Sequence, residues 1–459
     1  MENLHNSVMI NEIISFLPLK KSINVIDATF GGGGYSKTIL EKFNVNQLLA
    51  IDRDPISKIF AKELEIKFPN FTLINDKFSK IEEIVNNTKF KDKKFDIILF
   101  DIGTSSNQID NKEEINIKKF DEVVRNNVLE VVKKQIDTGI DIISDGEMSK
   151  ISYATYIKDR VEGFSGESER KSPKDLDDFP SFKKKLVQSG GTPTYKRPCC
   201  TSELKLKDNV SINKDIVNFK DALNKNSHKD GFMNSPSPGV ICNFLPNKFY
   251  KNDDEYLEKL SDIMKFEYEK IIDSGLYLQI DCPDLALSRH MIYKDISEEN
   301  FLERANKHVE VLNKSLENID PTKVRMHICW GNYEGPHIHD IELNKIIEIA
   351  FKANINMYLI ESANPRHAHE WEVFENIKLP KDKIIIPGVI ESTSNFIEHP
   401  DVVKHRILAF SKVIDPSQLM AGTDCGFSTF AGFGNVDENI VYKKLESLVI
   451  GSGLASKVI

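Results

Sequence analysis

The sequence predicts an α/β protein with two domains: a truncated, Rossmann-like sheet at residues 1–110 and a (β/α)8 TIM-type barrel at residues 120–459. Apolar strand-like runs alternate with amphipathic helical runs along the whole chain, which favours parallel sheets covered by helices. From residue 120 the repeat lengthens, and polar or reactive residues end each strand candidate, as in TIM barrels. The polar stretch before residue 120 indicates a linker at residues 111–119.

Composition narrows the functional classes. The chain has 459 residues, 40% of them hydrophobic and 29% charged, and its net charge of −9 argues against a general nucleic-acid binder. No apolar run is long enough to cross a bilayer, and the N-terminal residues lack the pattern of a signal peptide. Six cysteines are too few for a disulfide framework in so long a chain, so we expect a reducing, cytoplasmic location.

The first domain contains a glycine-rich loop between a strand and a helix. The strand candidates are 23–30, 47–54, 71–78 and 95–103. The segment "DATFGGGGYSKTIL" (27–40) joins the first strand candidate to a helical run. Its glycines allow the backbone to approach a ligand closely at the N-terminus of that helix. Asp52 ends the next strand, where a carboxylate can bind a ribose. The pattern indicates a nucleotide-type site; the alternative is a glycine-rich turn in an unrelated sheet.

The second domain offers strand candidates whose C-terminal ends carry chemistry. They are 139–147, 239–244, 276–284, 324–332, 357–365, 384–392 and 419–427, with a polar excursion at 165–198. His327 and Cys329 are two residues apart on one candidate, so their side chains face the same way. Alone, such a pair is more often core packing than a metal site. Glu361 and Cys425 end other candidates, and together the four offer one nitrogen, two sulfurs and one oxygen, a set that Zn²⁺ accepts tetrahedrally.

The first domain resembles the 16S rRNA cytosine-N4 methyltransferase family (RsmH/MraW), which uses S-adenosyl-L-methionine. The matching segments are "HNSVMINEII", "DATFGGGGYS", "AIDRDP" and "FDIILFDIGTSSNQID". The resemblance implies the cofactor contacts Gly33, Gly34, Tyr35, Asp52, Phe78, Asp101 and Gln108. It stops at about Asp110, before the family's RNA-recognising and last sheet segments. We therefore expect at most weak cofactor binding and no rRNA methylation; the alternatives are rRNA methylation by this part and an inert fragment.

The second domain resembles the C-terminal barrel of cobalamin-independent methionine synthase and its single-barrel relatives, which include epoxyalkane:coenzyme M transferases. Ordered matches include "GIDIISDGEMSKISYATYI", "LQIDCPDLAL", "HICWGNYEGPH", "ESANPRHAHEW" and "AGTDCGFSTFAG". The resemblance implies Zn²⁺ as cofactor, a homocysteine-like thiol and a methyl-folate as substrates, and methionine synthesis as the reaction. It implies that His327, Cys329, Glu361 and Cys425 bind the metal and that Glu147 and Asp281 hold the substrate amino group.

Two departures from that family separate the candidate reactions. Thr393 stands where the synthases have the histidine that donates a proton; His399, His367, His369 and Glu391 are the substitutes in the sequence. The synthases also read Asp-Glu-Pro where this chain has Asp281-Cys282-Pro283. Both differences favour the single-barrel relatives, so another zinc thiol transferase, such as one that opens epoxides, is an alternative.

The junction between the two predicted domains, at residues 111–119, yields a separate prediction about the barrel. The barrel family opens with a strand that carries a Gly-Ser-x-Pro-Arg type motif, and no such motif precedes Phe120. The resemblance therefore implies a barrel without its usual first strand, created by a gene fusion or by a sequence-assembly join. An inactive fusion product is the non-enzymatic alternative.

Overall fold

The computed structural model describes residues 10, 13–14, 17, 22–55, 57–100, 117–169, 171–188, 197–207, 209–431, 434 and 436–459. The chain divides into two compact units, Met1–Phe120 and Asp121–Ile459. The division lies next to the linker predicted at residues 111–119. Among the described residues, no helix is both long and apolar enough to cross a membrane.

The first unit is a parallel sheet covered on both faces. Its strands β1 (Ile23–Asp27), β2 (Val45–Ile51), β3 (Phe71–Ile74) and β4 (Ile97–Leu99) have the order β3-β2-β1-β4. Val25 and Leu48 belong to one apolar cluster, whereas the adjacent Ile26 and Leu49 belong to another. Successive residues of a strand point to opposite faces, so both faces are buried, as in a doubly wound sheet. The helices are α1 (Gly34–Lys42), α2 (Ser57–Lys67) and α3 (Ile81–Asn86).

The second unit contains a curled parallel sheet that, in the part of the chain that the structure describes, has seven strands in the order β13-β12-β11-β10-β9-β8-β5. An antiparallel hairpin, β6 with β7, branches from it. This arrangement confirms the predicted α/β class of both parts. The strands are β5 (Ile143–Ser144), β6 (Val161–Ser165), β7 (Cys199–Leu206), β8 (Gly231–Pro236), β9 (Tyr277–Asp281), β10 (Val324–Ile328), β11 (Met357–Glu361), β12 (Ile384–Ile390) and β13 (Gly422–Thr423).

Helices separate these strands and cover the outer face of the sheet, where long helix-forming runs bury one apolar stripe each. They are α4 (Ile117–Thr138), α5 (Ile157–Arg160), α6 (Lys174–Asp178), α7 (Pro180–Gln188), α8 (Val210–Lys225), α9 (Pro238–Phe244), α10 (Asp253–Asp273), α11 (Ser288–Met291), α12 (Glu298–Ser315), α13 (Leu343–Ala350), α14 (Val373–Asn376), α15 (Pro400–Phe410) and α16 (Glu438–Ala455).

Strands β5 and β13 lie at the two ends of the sheet, and loops and helices bridge them. Ser152 forms an isolated antiparallel bridge with Phe430. Lys134 of α4 forms an ion pair with Glu438 of α16 and lies over the ring of Tyr442. The two ends of the sheet are therefore tied together without direct pairing between β5 and β13 among the described residues.

One strand prediction is wrong. Residues 239–244 lie in helix α9, and the strand of this repeat is β8, at residues 231–236. Ser237 caps the helix by accepting a hydrogen bond from the Val240 amide (3.0 Å), and Pro238 occupies the first helical position. Both are helix-start signals, and they outweigh the apolar character of "GVICNF".

A buried ion cluster beneath the sheet yields a stability prediction. Arg160 donates to Glu267 (2.7 Å) and to Asp215, and all three side chains are at most 9% exposed. Arg160→Met removes the guanidinium that compensates the charges of both buried carboxylates and leaves Glu267 only its neutral donors Tyr156 and Ser235, so we expect the free energy of unfolding to fall by about 3–5 kcal/mol. Urea unfolding followed by tryptophan fluorescence measures it for this unit alone, because both tryptophans, Trp330 and Trp371, lie in it.

The matched control is Arg125→Met. Arg125 pairs with Asp221 at 3.7 Å on the surface, where an ion pair contributes at most about 1 kcal/mol. Equal losses of stability in the two variants would contradict the assignment of the Arg160 cluster as a buried, mutually compensating set.

Candidate metal and substrate site

The parallel register brings the C-terminal ends of three strands to one level. His327 on β10 pairs with Leu359 on β11, so Cys329 lies level with Glu361, which in turn pairs with Gly388. Gly388 pairs with Gly422 of β13, and Cys425 follows that strand. Side chains two residues apart share a face, so His327 with Cys329 and Leu359 with Glu361 point the same way.

Three of the four predicted ligands, His327, Cys329 and Cys425, have ligand atoms within 4.8 Å of one another, and Glu361 contacts Cys425. The Cys425 Sγ lies 3.5 Å from the Cys329 Sγ, 3.5 Å from the His327 Nε2 and 3.6 Å from the Glu361 Oε1. Zinc bonds of about 2.3 Å to sulfur and about 2.0–2.1 Å to nitrogen or oxygen place tetrahedral ligand atoms roughly 3.5–3.8 Å apart. The spacing of His327, Cys329 and Cys425 fits a zinc site, with Glu361 beside Cys425 as the candidate fourth ligand.

Neighbouring groups orient two members of the quartet, as we call the four candidate ligands His327, Cys329, Glu361 and Cys425. His327 Nδ1 lies 3.2 Å from Asp281 Oδ1, the carboxylate–histidine arrangement common behind metal ligands. The Trp330 amide donates to Glu361 Oε1 (2.8 Å), and the Asn364 side chain donates to Glu361 Oε2 (3.3 Å). These contacts fix the ring and the carboxylate in the direction of the two sulfurs.

The electrostatics of the quartet favour a cation. The hydrogen bond with Cys329, burial and the nearby Glu361 all raise the pKa of Cys425 well above its ordinary value. The hydrogen bond from Cys425 lowers the pKa of Cys329, but burial and Glu361 raise it more. Without a cation both thiols stay protonated at neutral pH, whereas a bound metal holds thiolates.

A carboxylate that sequence reasoning missed shapes the Glu361 loop. Asp424 accepts hydrogen bonds from the backbone amides of Ser362 (2.8 Å), Ala363 (2.9 Å) and Asn364 (2.7 Å). Burial and Glu361 raise the pKa of Asp424 to about 8 in spite of these donors. The signal that points to Asp424 is its place in "GTDCGF", directly before a candidate ligand.

The two predicted amino-group ligands belong to one polar network, in which Asp281 is buried and the Glu147 side chain is 27% exposed. Asp281 accepts from Gln279 (2.9 Å) and Asn234 (3.2 Å). Lys150 donates to Glu147 Oε1 (3.0 Å) and to the Asn234 carbonyl (2.6 Å), which connects Glu147 with Asp281. Burial raises the pKa of Glu147, and the like charges of Asp281 and Asp145 raise it further. Glu147 has a φ of +52°, which is a strained conformation for a non-glycine residue. This conformation changes the direction of the chain after β5.

Thr393 lies beside the carboxylate of Glu391. The Thr393 hydroxyl and amide both donate to Glu391 Oε1, and the Ser394 amide donates to Oε2 (2.7 Å). Burial raises the pKa of Glu391, but these hydrogen bonds outweigh it and keep the pKa below its usual range. Glu391 is therefore ionised at neutral pH and holds no proton to donate.

The histidines named as substitute acids lie elsewhere. The His399 side chain is 73% exposed and caps α15 by accepting from the Asp401 amide (3.2 Å), so the structure does not place it in the buried quartet. His367 is buried with its ring nitrogens against Asp340 (2.9 Å) and Glu370 (2.8 Å). His369 and Arg366 lie on the exposed part of the same loop. These positions argue against proton transfer by His399.

The other four cysteines are free and buried. Cys199 and Cys200 are adjacent on β7, so their side chains point to opposite faces, and their sulfurs contact backbone carbonyls of Glu167 and Ser202 at 3.5 Å. This placement favours buried thiols over a second metal pair. Cys282 follows β9, and Cys242 lies in α9 rather than in the predicted strand.

In the first unit the glycine-rich loop joins β1 to α1. Gly33 has a φ of +80°, and a Cβ there would lie 2.7 Å from the Phe30 ring. Asp52 accepts from the Gly31 amide (2.6 Å) and the Asp54 amide (2.8 Å), so its carboxylate also holds the loop. Gly34 opens α1 with Tyr35, whose side chain is buried.

Phe78 completes the described part of this set. Its ring is 42% exposed and packs edge-on against Phe100 at 5.8 Å between centroids. Asp101 and Gln108 lie outside the described residues.

Sequence and structure comparisons place each part with a different group. The model of the MraW methylase family matches residues 2–114, and the model "Cobalamin-independent synthase, Catalytic domain" matches residues 103–436. Ribosomal RNA small subunit methyltransferase H of Buchnera aphidicola is 46% identical over 107 residues, which cover 23% of this chain and 33% of that protein. The chain thus spans about a third of that relative's length.

The second part is similar to methionine synthases. The methionine synthase of Saccharolobus islandicus is 22% identical over 343 residues, 74% of this chain and 86% of that protein. A B12-independent methionine synthase from Shewanella, solved in complex with selenomethionine, has a TM-score of 0.56 at 20% identity and covers 75% of this chain and 89% of its own. The structure therefore shows the same fold. Because the synthase model matches well over half of the chain, the protein belongs to the family of the cobalamin-independent synthase catalytic domain.

Proposed function

We propose that the second unit is a zinc-dependent thiol methyltransferase that transfers a methyl group from a methyl-folate to homocysteine. The observation that carries the proposal is the convergence of His327, Cys329 and Cys425 at the spacing of metal ligands, with Glu361 Oε1 3.6 Å from the Cys425 Sγ. Membership of the synthase family and the similarity to methionine synthases support it.

The four ligands hold the metal, and Asp281 fixes the ring of His327. When bound, zinc lowers the pKa of a substrate thiol so that the nucleophilic thiolate forms near neutral pH. The Trp330 amide donates a hydrogen bond to Glu361 Oε1, the same oxygen that faces the Cys425 Sγ. The backbone after β10 therefore sets the position of this ligand.

Glu147 and Asp281 bind the ammonium group of the thiol substrate. The carboxylates share one network, in which Lys150 contacts Glu147 and His327 contacts Asp281. A cationic amino group adds positive charge beside Glu147 and fixes the thiol relative to the quartet. A neutral thiol without an amino group gains nothing from this pair.

A second candidate is the opening of an epoxide by a thiol. It is favoured by Thr393, which replaces the synthases' proton-donating histidine and is engaged by an ionised Glu391. The amine of a demethylated folate leaves poorly without a proton, as does an alkoxide, so either reaction requires a donor from another group or from water.

We further propose that the first unit keeps a weak site for S-adenosyl-L-methionine. The glycine-rich loop offers amides at the N-terminus of α1, and Asp52 lies at the end of β2. Because the chain spans only about a third of the Buchnera methyltransferase, rRNA methylation is not part of this proposal.

Metal content tests the quartet. Full-length protein should contain one zinc ion per quartet, and Cys425→Ala should lose it, because three ligands remain and one thiolate is gone. Cys242→Ala, which truncates a buried cysteine outside the quartet, should leave this zinc in place. Elemental analysis after gel filtration measures the ratio. Unchanged zinc in Cys425→Ala would exclude the quartet.

Substrate kinetics test the amino-group pair. Glu147→Gln should raise the KM for homocysteine about tenfold or more, since a lost charge-assisted hydrogen bond is worth roughly 1.5–3 kcal/mol. The exposed Glu334→Gln serves as the control. With 4-mercaptobutyrate, which lacks the amino group, the wild type and Glu147→Gln should have equal KM values. An equal change for both thiols would contradict the assignment.

Calorimetry tests the first unit. S-adenosylhomocysteine titrated into the full chain should give saturable heat that Asp52→Ala abolishes, because Asp52 orders the glycine-rich loop. Asp76→Ala removes an exposed acid paired with Lys80 and should leave the binding unchanged. Absence of heat at millimolar ligand would reduce this unit to a scaffold.

A further inference from the structure

A second cluster of histidines and carboxylates is buried in the Asp121–Ile459 unit, outside the quartet. Asp175 lies in α6, His290 in α11, and Asp340 in the loop after β10. Their side chains are at most 2% exposed, and one ligand atom of each lies within 4.8 Å of the others. The mechanism proposed above uses none of them.

Each carboxylate has one oxygen bound by protein donors. Asp340 Oδ2 accepts from His337 Nδ1 (2.7 Å) and from His367 Nε2 (2.9 Å). Asp175 Oδ2 accepts from the Tyr333 hydroxyl (3.0 Å). The other ring nitrogens of His337 and His367 face the Tyr333 carbonyl and Glu370, so both rings donate through both nitrogens. They therefore support Asp340 and have no lone pair left for a cation.

The remaining oxygens are buried and have no hydrogen-bond partner within the described structure. They are Asp175 Oδ1 and Asp340 Oδ1; the ring nitrogens of His290 have no side-chain hydrogen-bond partner, and the ring faces the backbone of Trp330. His290 Nε2 lies 3.3 Å from Asp340 Oδ1, yet the pair lacks the geometry of a hydrogen bond. Leaving several polar atoms buried and unpaired costs about 1–3 kcal/mol each, so a convergent set calls for a shared partner.

A divalent cation satisfies all three residues at once. Nitrogen and oxygen ligands at about 2.0–2.1 Å from a tetrahedral zinc ion lie roughly 3.3–3.4 Å apart, which matches the His290–Asp340 separation. Metal-binding carboxylates in proteins have their other oxygen hydrogen-bonded, as Asp175 and Asp340 do. An ordered water is the competing occupant, because it also satisfies two to four polar groups.

We propose that Asp175, His290 and Asp340 bind a divalent transition-metal cation at a second site, held in shape by Tyr333, His337 and His367. The site joins α6 to the segments that follow β9 and β10. Trp330 lies between it and the quartet: its ring packs on His367 (4.4 Å between centroids), and its amide binds Glu361. The proposal is independent of the proposed function, because it shares no ligand with the quartet.

Cobalt binding to a chain without the quartet thiols tests the second site. The full-length Cys329→Ser, Cys425→Ser protein is freed of metal by a chelator and titrated with Co²⁺. We expect one Co²⁺ per chain, with visible d–d absorption and without the near-ultraviolet thiolate-to-cobalt band. No binding, as seen if the occupant is water, would overturn the proposal whatever the zinc content of the wild type.

Two further substitutions in that chain locate the cobalt. His290→Gln and Asp175→Asn should each weaken binding at least tenfold. His308→Gln is the matched control, because His308 is equally buried, contacts one carboxylate (Asp284, 2.9 Å) and has an unpaired Nε2, but has no converging third ligand. Retained cobalt in both test variants would overturn the proposal. Asp175→Asn lies on a short outer helix and keeps the test valid if His290→Gln fails to fold.

Discussion

The buried carboxylate of Asp281 is the constraint on which the second unit's site depends. A charge at this depth is stable only when it is fully hydrogen-bonded, and Asn234, Gln279 and His327 supply the bonds from three adjacent strands. Burial raises the pKa of Asp281, but these donors outweigh it and keep the carboxylate ionised. Because its two oxygens bind groups on either side, one charge fixes both the candidate metal ligand His327 and Asn234 of β8, whose carbonyl accepts from Lys150.

The open sheet makes that network more important. The quartet comes from β10, β11 and the end of β13, whereas Glu147 follows β5 at the opposite end of the sheet. β5 and β13 have two residues each and are not paired with each other in the described chain, so strand pairing connects Glu147 to the quartet by way of β8 and β9 to β10. The chain of contacts from Glu147 through Lys150 and Asn234 to Asp281 adds a link along this route, and the Ser152–Phe430 bridge links the two ends of the sheet.

The sequence predicted those features that follow from local periodicity and parallel pairing. Alternation on β10 places His327 and Cys329 on one face, and the common edge of parallel strands brings Glu361 and Cys425 to them. The prediction from sequence was wrong at residues 239–244, where the apolar run indicated a strand. These residues form helix α9, which begins with the cap Ser237 and with Pro238. Asp424 and the Asp175–His290–Asp340 cluster were beyond prediction, because loop conformation and contacts between residues far apart in the chain decide them, and neither leaves a periodic signal.

The charge balance around Glu147 bears on which thiol the site accepts. Glu147, Asp145 and Asp281 are mutually repelling acids, and Lys150 is the cation that contacts Glu147. Asp281 is already compensated by neutral donors and by His327, so its charge is stable without substrate, whereas the pKa of Glu147 is raised. An ammonium group placed between the two carboxylates relieves the repulsion and restores the charge on Glu147. Under the proposed function, the binding free energy of an amino-acid thiol therefore includes a contribution that a thiol without an amino group cannot obtain.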